Sequence, residues 1–240
     1  MEDGDRSARQ YDAMAAAYAA DNDVGAYNAH YERPATIALL GSVEGLDVLE
    51  LGCGAGPLTA WLVEHGATVT GVDVSPAMVE LARERLGGRA RLLVADIADP
   101  LTFAPDESVD LVVASLVLHY LEDWVPVLRE VRRVLRPGGA VVCSTHHPTM
   151  DRGHTPDDYF AVAQVTETWE KGGRGHEVTF WRRPLTAMAD AIATAGFLIE
   201  RLVEPQPAAG LRALDPDTFR SLSTEPQFLF FRLVPRPEGT

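Results

Sequence analysis

Over residues 46–145, short apolar runs alternate with segments of helical spacing. Residues 46–51 (LDVLEL) predict a strand, and 58–65 a helix with Leu58, Trp61, Leu62 and His65 on one side. Residues 68–72 (TVTGV) predict the second strand. Ser75-Pro76 then opens a helix to about residue 86, because serine caps helix N-termini and proline is tolerated in the first turn. Residues 91–95 and 109–114 (VDLVVA) predict strands three and four. Residues 124–135 predict a helix stopped by Pro137-Gly138-Gly139, and 140–145 a fifth strand. Short strands joined by helices imply right-handed crossovers and a mostly parallel sheet. Their nearly continuous apolar character fits strands covered on both faces.

Past Pro148 the pattern changes. Residues 164–170 alternate, Lys171-Gly172-Gly173-Arg174-Gly175 follows, and 176–182 alternate again, which predicts a β-hairpin. Residues 185–195 predict an amphipathic helix closed by Gly196, and 197–203 and 228–234 two final strands. Residues 1–40 are alanine-rich and helical in spacing. The expected organisation is one α/β domain over 1–240 built on a doubly wound sheet. A helical cap (1–40) precedes a ligand-binding core (46–147), an insertion carrying the hairpin (148–184), and a C-terminal helix and strands (185–235).

Composition narrows the chemistry. The 240 residues are 46% hydrophobic and 23% charged, enough apolar material for a sizeable core. The net charge is −14, from 21 Lys and Arg against 35 Asp and Glu, which disfavours binding to nucleic acid phosphates. Lys171 is the only lysine, and glycines follow it, so there is no Gly-Lys-Ser/Thr phosphate loop. Two cysteines, Cys53 and Cys143, make neither a disulfide framework nor a four-cysteine zinc site, and a reducing cytoplasm is the expected setting. Neither a membrane span nor a secretory leader is expected, since acids (Glu2, Asp3, Asp5) mark the start and no long apolar run follows.

The candidate chemistry gathers at strand ends. Glu50-Leu51-Gly52-Cys53-Gly54-Ala55-Gly56 falls where the first strand turns into the first helix. Glycines there let the backbone turn tightly and approach a ligand closely. Asp73 ends the second strand, where an acid accepts hydrogen bonds from both ribose hydroxyls of a nucleoside. Asp96, with Ile97 beside it, follows the third. Pro57 occupies the place where a pyrophosphate-binding loop usually has its last glycine, and the acids suit a cationic or zwitterionic ligand better than a diphosphate.

Residues 48–56 (VLELGCGAG), 71–82 (GVDVSPAMVELA), Ala95-Asp96-Ile97 and 135–139 (LRPGG) resemble, in order and spacing, the successive motifs of class I S-adenosylmethionine-dependent methyltransferases, and most closely the methyltransferase type 11 group. The resemblance spans about residues 46–145. It implies a Rossmann-like sheet of seven strands whose last is antiparallel. It also implies S-adenosyl-L-methionine as the methyl donor, leaving S-adenosyl-L-homocysteine. Gly52, Gly54 and Gly56, with Glu50 before them, would line the methionine portion and Asp73 the ribose. Val74 and Met78 would flank the adenine, Asp96 and Ile97 its amino edge, and Ser115 the sulfonium. The N-terminal helix of similar enzymes closes over the donor, which makes Tyr18 a candidate near its carboxylate. The implied reaction is in-line displacement onto oxygen, nitrogen or carbon of a small molecule, including those of natural-product biosynthesis.

A sulfonium methyl is already activated, so holding the reactants in line lowers much of the barrier. A base is needed only for a protonated acceptor. The candidates are His147 and His146, at the end of the fifth strand, and His119, after the fourth. Neighbouring strand residues point to opposite faces, so one of the two adjacent histidines is expected to face the site. A Ser-x-His-Pro pattern similar to that of some small-molecule methyltransferases favours His147, in Ser144-Thr145-His146-His147-Pro148. His146, His147, Asp151 and His154 form a loose metal-ligand set whose irregular spacing argues against a metal. Aromatic residues outside the motifs, namely Tyr11, Tyr27, His30 and Tyr31 in the cap and Trp169, Phe180 and Trp181 in the hairpin, are candidates for the acceptor pocket. Residues 115–117 (Ser-Leu-Val) lack the Asn/Asp-Pro-Pro-aromatic signature of enzymes that methylate nucleobase amines. The expected partner is therefore a small-molecule acceptor, with neither nucleic acid nor membrane. Two rivals remain: a nicotinamide-dependent oxidoreductase on a similar sheet, and a non-catalytic donor-binding module. Asp73→Ala is expected to weaken donor binding by ~1–3 kcal/mol in titration calorimetry, because a charged hydrogen-bond partner is lost.

Overall fold

The computed structural model describes residues 2–150 and 158–237. Its centre is a seven-stranded sheet. The strands are β1 (Asp47–Leu51), β2 (Thr68–Asp73), β3 (Arg91–Val94), β4 (Val109–Ala114), β5 (Leu135–His146), β8 (Phe197–Val203) and β9 (Phe228–Pro235). Their order is β3-β2-β1-β4-β5-β9-β8. The first five run parallel, and β9 lies antiparallel between β5 and β8. The order reverses direction between β1 and β4, which opens a crevice at their carboxyl ends.

Both faces of the sheet are covered, as the continuous apolar strands require. On one face Leu49, Leu51, Val112, Ala114 and Val141 meet Trp124, Leu128 and Val131 at or on α5 (Val125–Val134) and Met188 and Ile192 on α6 (Leu185–Thr194). On the other, Val48, Leu111, Val113 and Val142 meet Leu40 at the end of α2 (Arg33–Leu40) and Leu58 and Leu62 on α3 (Pro57–Glu64). No described helix is long and apolar enough to cross a membrane.

Three local features differ from the sequence-based expectation. Helix α5 ends at Val134, and Leu135 already pairs with Val109, so Pro137-Gly138-Gly139 is a bulge inside β5 rather than a gap before it. Gly138, at φ 82°, supplies the left-handed residue the bulge needs. Residues 204–227, for which no element was expected, contain α7 (Leu211–Leu214) and α8 (Pro216–Thr224). The Asp215 carboxylate caps α8 by accepting from Thr218 N at 3.0 Å. Gly56, expected among ligand-lining glycines, is the left-handed N-cap of α3 at φ 77°. A Cβ there would come within 3.2 Å of Ala82 Cβ and 3.3 Å of Leu86 Cδ1 on α4 (Pro76–Leu86), so this glycine lets α3 start against α4.

The cap is α1 (Glu2–Val24), followed by a π-helical turn, Asn28–Glu32, and α2. The hairpin, β6 (Ala163–Lys171) and β7 (Arg174–Arg182), forms a separate two-stranded sheet. Gly172 and Gly173, at φ 60° and 74°, make its tight two-residue turn. Val165, Val178 and Phe180 bury against Met14 of α1. Two arginines at the end of the hairpin anchor it: Arg182, the last residue of β7, donates to the Ala161 carbonyl, and Arg183 to the Leu121 carbonyl while stacking on Trp124. Gly56→Val is expected to destabilise the fold by ~1–3 kcal/mol, read as a lower Tm, because it combines a left-handed β-branched residue with crowding of α4.

Candidate active site

The carboxyl ends of the parallel strands and the cap enclose a cavity of about 130 Å³. Glu50 from β1, Gly52 and Gly54 from the loop, Asp73 from the end of β2, Val74, Met78, Asp96, Ile97 and Ser115 all line it, as does Tyr18 from α1. Gly56 does not, since it faces α4. Asp73 organises the floor. Its Oδ2 accepts from Gly54 N at 2.8 Å and its Oδ1 from Ser75 N at 2.9 Å. Gly54, at φ 53°, has open space where a Cβ would stand. Asp12 of α1 reaches the start of α4, accepting from Ser75 Oγ at 2.5 Å and Ala77 N at 3.1 Å, and so draws the cap over the cavity.

Two buried carboxylates and one arginine set the electrostatics. Glu50 is 2% exposed and accepts from Thr59 Oγ1 at 2.6 Å. Burial, reinforced by Glu32 and Asp73, pushes its carboxyl up to about 8 despite that bond and Arg33. Glu32 accepts from Thr36 Oγ1 and Ser144 Oγ, each at 2.7 Å; burial raises its carboxyl too. Ser144 Oγ also accepts from Leu116 N at 3.0 Å, holding Leu116 in the left-handed conformation at φ 48°. Arg33 donates to the Asn22 carbonyl and side chain, at 2.8 and 2.5 Å, and lines the same cavity. Sequence reasoning missed Glu32 and Arg33. Their only signal is a charged pair at the head of an otherwise apolar helix.

A second cavity, of about 640 Å³, adjoins the first. Tyr11, Tyr18, Asn28, Leu116 and Tyr120 line both and form the wall between them. The Tyr11 and Tyr120 hydroxyls meet at 2.6 Å, and burial raises both phenols. His119 and His146 line this larger cavity with Tyr27, Trp169 and Phe228. The two imidazoles stack at 4.0 Å, and Phe180 stands edge-on to His146 at 4.5 Å. Burial holds both rings neutral, His146 down to about 4.

His147, the favoured base from sequence, points elsewhere. Its Nε2 meets Glu204 Oε1 at 2.9 Å and its Nδ1 meets Thr149 Oγ1 at 2.7 Å, and it lines neither cavity. The strand alternation places His146 inward and His147 outward. Four acceptor-pocket candidates likewise line neither cavity, the first being Phe180, which is buried edge-on to His146. Tyr31 is fully buried against Phe228, at 5.5 Å. His30 lines neither cavity, and its carbonyl accepts from Ala208 N at 2.7 Å. Trp181 lies on the other face of the hairpin, in a separate groove with Asp123 and Pro126. Asp151 and His154 lie outside the described residues. Among the described residues no group of three potential ligands could hold a metal ion.

A doubly wound sheet with a glycine loop and acids at its crest defines a nucleoside-binding α/β protein. The profile of a methyltransferase domain family matches residues 49–143. The chain is 34% identical over 143 residues to the demethylmenaquinone methyltransferase of Tropheryma whipplei (strain Twist), covering 58% of this chain and 59% of that one. It is 37% identical over 141 residues to the malonyl-[acyl-carrier protein] O-methyltransferase of Serratia marcescens, covering 58% and 49%. The matches thus span about half the length of these curated relatives. A crystal structure of an S-adenosylmethionine-dependent methyltransferase from Mesorhizobium loti is 33% identical and aligns with a TM-score of 0.70, over 83% of this chain and 95% of that one. The chain belongs to the S-adenosylmethionine-dependent methyltransferases.

The residues present fit that donor. The room above Gly54 admits a ligand against the backbone, and Arg33 beside buried acids matches an amino-acid zwitterion. Because the Glu50 carboxyl is raised in the fold, its cost is absent below about pH 4.5 and grows as pH rises towards 8, where only the unfolded chain ionises freely. Glu50→Gln is therefore expected to gain stability over the parent by on the order of 2–4 kcal/mol more at pH 8 than at pH 5, measured by urea unfolding without donor.

Proposed function

We propose that this protein transfers a methyl group from S-adenosylmethionine to a small molecule held in the larger cavity. The observation that carries this reading is the shared wall. The cavity lined by the glycine loop and Asp73 is separated from a roomier aromatic cavity only by Tyr11, Tyr18, Asn28, Leu116 and Tyr120. When bound, the donor supplies an activated methyl on a positive sulfur. In this reading Asp73 holds the ribose hydroxyls, Met78 and Ile97 enclose the base, and Arg33 with Glu50 meets the amino-acid end. Ser115 and Leu116 border the point of transfer, and α1 excludes water. His146 replaces His147 as the histidine next to the acceptor. A biosynthetic step suits the names of both curated relatives.

The rival donor-binding module has no use for an acceptor cavity of this size, and Pro57 stands where the pyrophosphate-binding loop of a nicotinamide enzyme usually has its last glycine. Incubation with methyl-labelled donor and a metabolite extract is expected to move label onto small molecules, detected by mass spectrometry. Donor binding without transfer would support the module instead.

A further inference from the structure

The larger cavity mixes apolar residues such as Leu116, Met150 and Phe228 with polar ones, and its carboxylates are Asp21, which pairs with Lys171, the exposed Glu170 and the half-buried Glu167. Alternation along β6 turns Val165, Glu167, Trp169 and Lys171 towards the cap, and the last three line the cavity. Lys171 is already neutralised by Asp21, and its ammonium lies 5.7 Å from the centre of the Tyr18 ring. Glu167 takes one bond from a neutral donor, Trp169 Nε1 at 3.1 Å. Its negative charge is felt at Tyr120, in the wall shared with the donor cavity. Deeper in the cavity, His119 is 2% and His146 8% exposed, and each has an Nδ1 without a hydrogen-bond partner. No arginine is found among the described residues that line this cavity.

We propose that the acceptor is a basic nitrogen compound, an aromatic or alkyl amine that enters as an ammonium, and that Glu167 is its counter-ion. The proposal rests on the methyl-transfer reading and deepens it. An ammonium carries only donors, and this wall offers a carboxylate, phenol oxygens and neutral imidazoles. The faces of Tyr18 and Trp169 favour a cation, and the wall already holds one in Lys171. A carboxylate acceptor would meet Glu167 with its one possible cation already paired. For reaction, the ammonium loses a proton to solvent, which frees the nitrogen lone pair, while Glu167 serves only as the counter-ion that brings it in. The nitrogen–carbon bond then forms as the carbon–sulfur bond breaks, its electron pair passing to sulfur. The products are an N-methylammonium, which pairs with Glu167 in turn, and a neutral thioether.

The test uses calorimetry on the full chain saturated with S-adenosylhomocysteine. Three probes of similar shape are compared: 2-phenylethylammonium, 2-phenylethanol and 3-phenylpropionate. The ammonium is expected to bind at least about tenfold more tightly than the other two. Glu167→Gln is expected to remove that preference and leave the affinity for S-adenosylhomocysteine unchanged. Tighter binding of the carboxylate, equal binding of all three, no binding of the ammonium, or a preference that survives Glu167→Gln would each overturn the proposal. The ranking in the parent protein decides the matter even if the variant folds poorly. Loss of the acceptor preference with S-adenosylhomocysteine still bound leaves the methyltransferase reading intact. Failure to bind S-adenosylhomocysteine would remove that reading itself.

Discussion

The site depends first on the carboxylate of Asp73. One oxygen holds the glycine loop through Gly54 N, and the other holds the start of α4 through Ser75 N. Two segments that follow different strands are thereby fixed to one side chain at the crest of the sheet. The position is tense, because burial raises this acid while the two backbone donors lower it. The same donors offset part of the cost of burying this acid where the topology opens its crevice. Ser75 extends the arrangement outward, since its hydroxyl caps α4 at Met78 N and donates to Asp12 on the cap.

The two halves of the molecule are held by different forces. The sheet and its flanking helices are joined by apolar burial on both faces. The cap has apolar contacts of its own, through Met14, Ala15 and Ala19, but its edges are fastened by polar pairs: Arg85 to Asp23, Lys171 to Asp21, Tyr11 to Tyr120. Exposed ion pairs are worth little each and exchange readily with water.

Much of the smaller cavity's lining was legible in the sequence because it is built from local patterns. Glycines at a strand-to-helix turn, an acid at a strand end and a serine-proline helix start each act within a few residues. The larger cavity is assembled from distant segments, and there the sequence misled. His146 and His147 compete for one inward place, and the winner follows from parity with Ser144, whose facing towards Glu32 is a tertiary fact. Glu32 and Arg33 acquire meaning only when α2 meets the ends of β4 and β5. The Asp215-Pro216 start of α8 was readable by the same capping rule used at Ser75-Pro76, and was overlooked in a segment without apolar rhythm.

The hairpin contributes no strand to the seven-stranded sheet, and its ladder is complete within itself. Its length and turn can therefore be altered without breaking a backbone hydrogen bond of that sheet. Over evolutionary time such an arrangement would let the acceptor preference proposed above drift while the sheet and its glycine loop stay fixed.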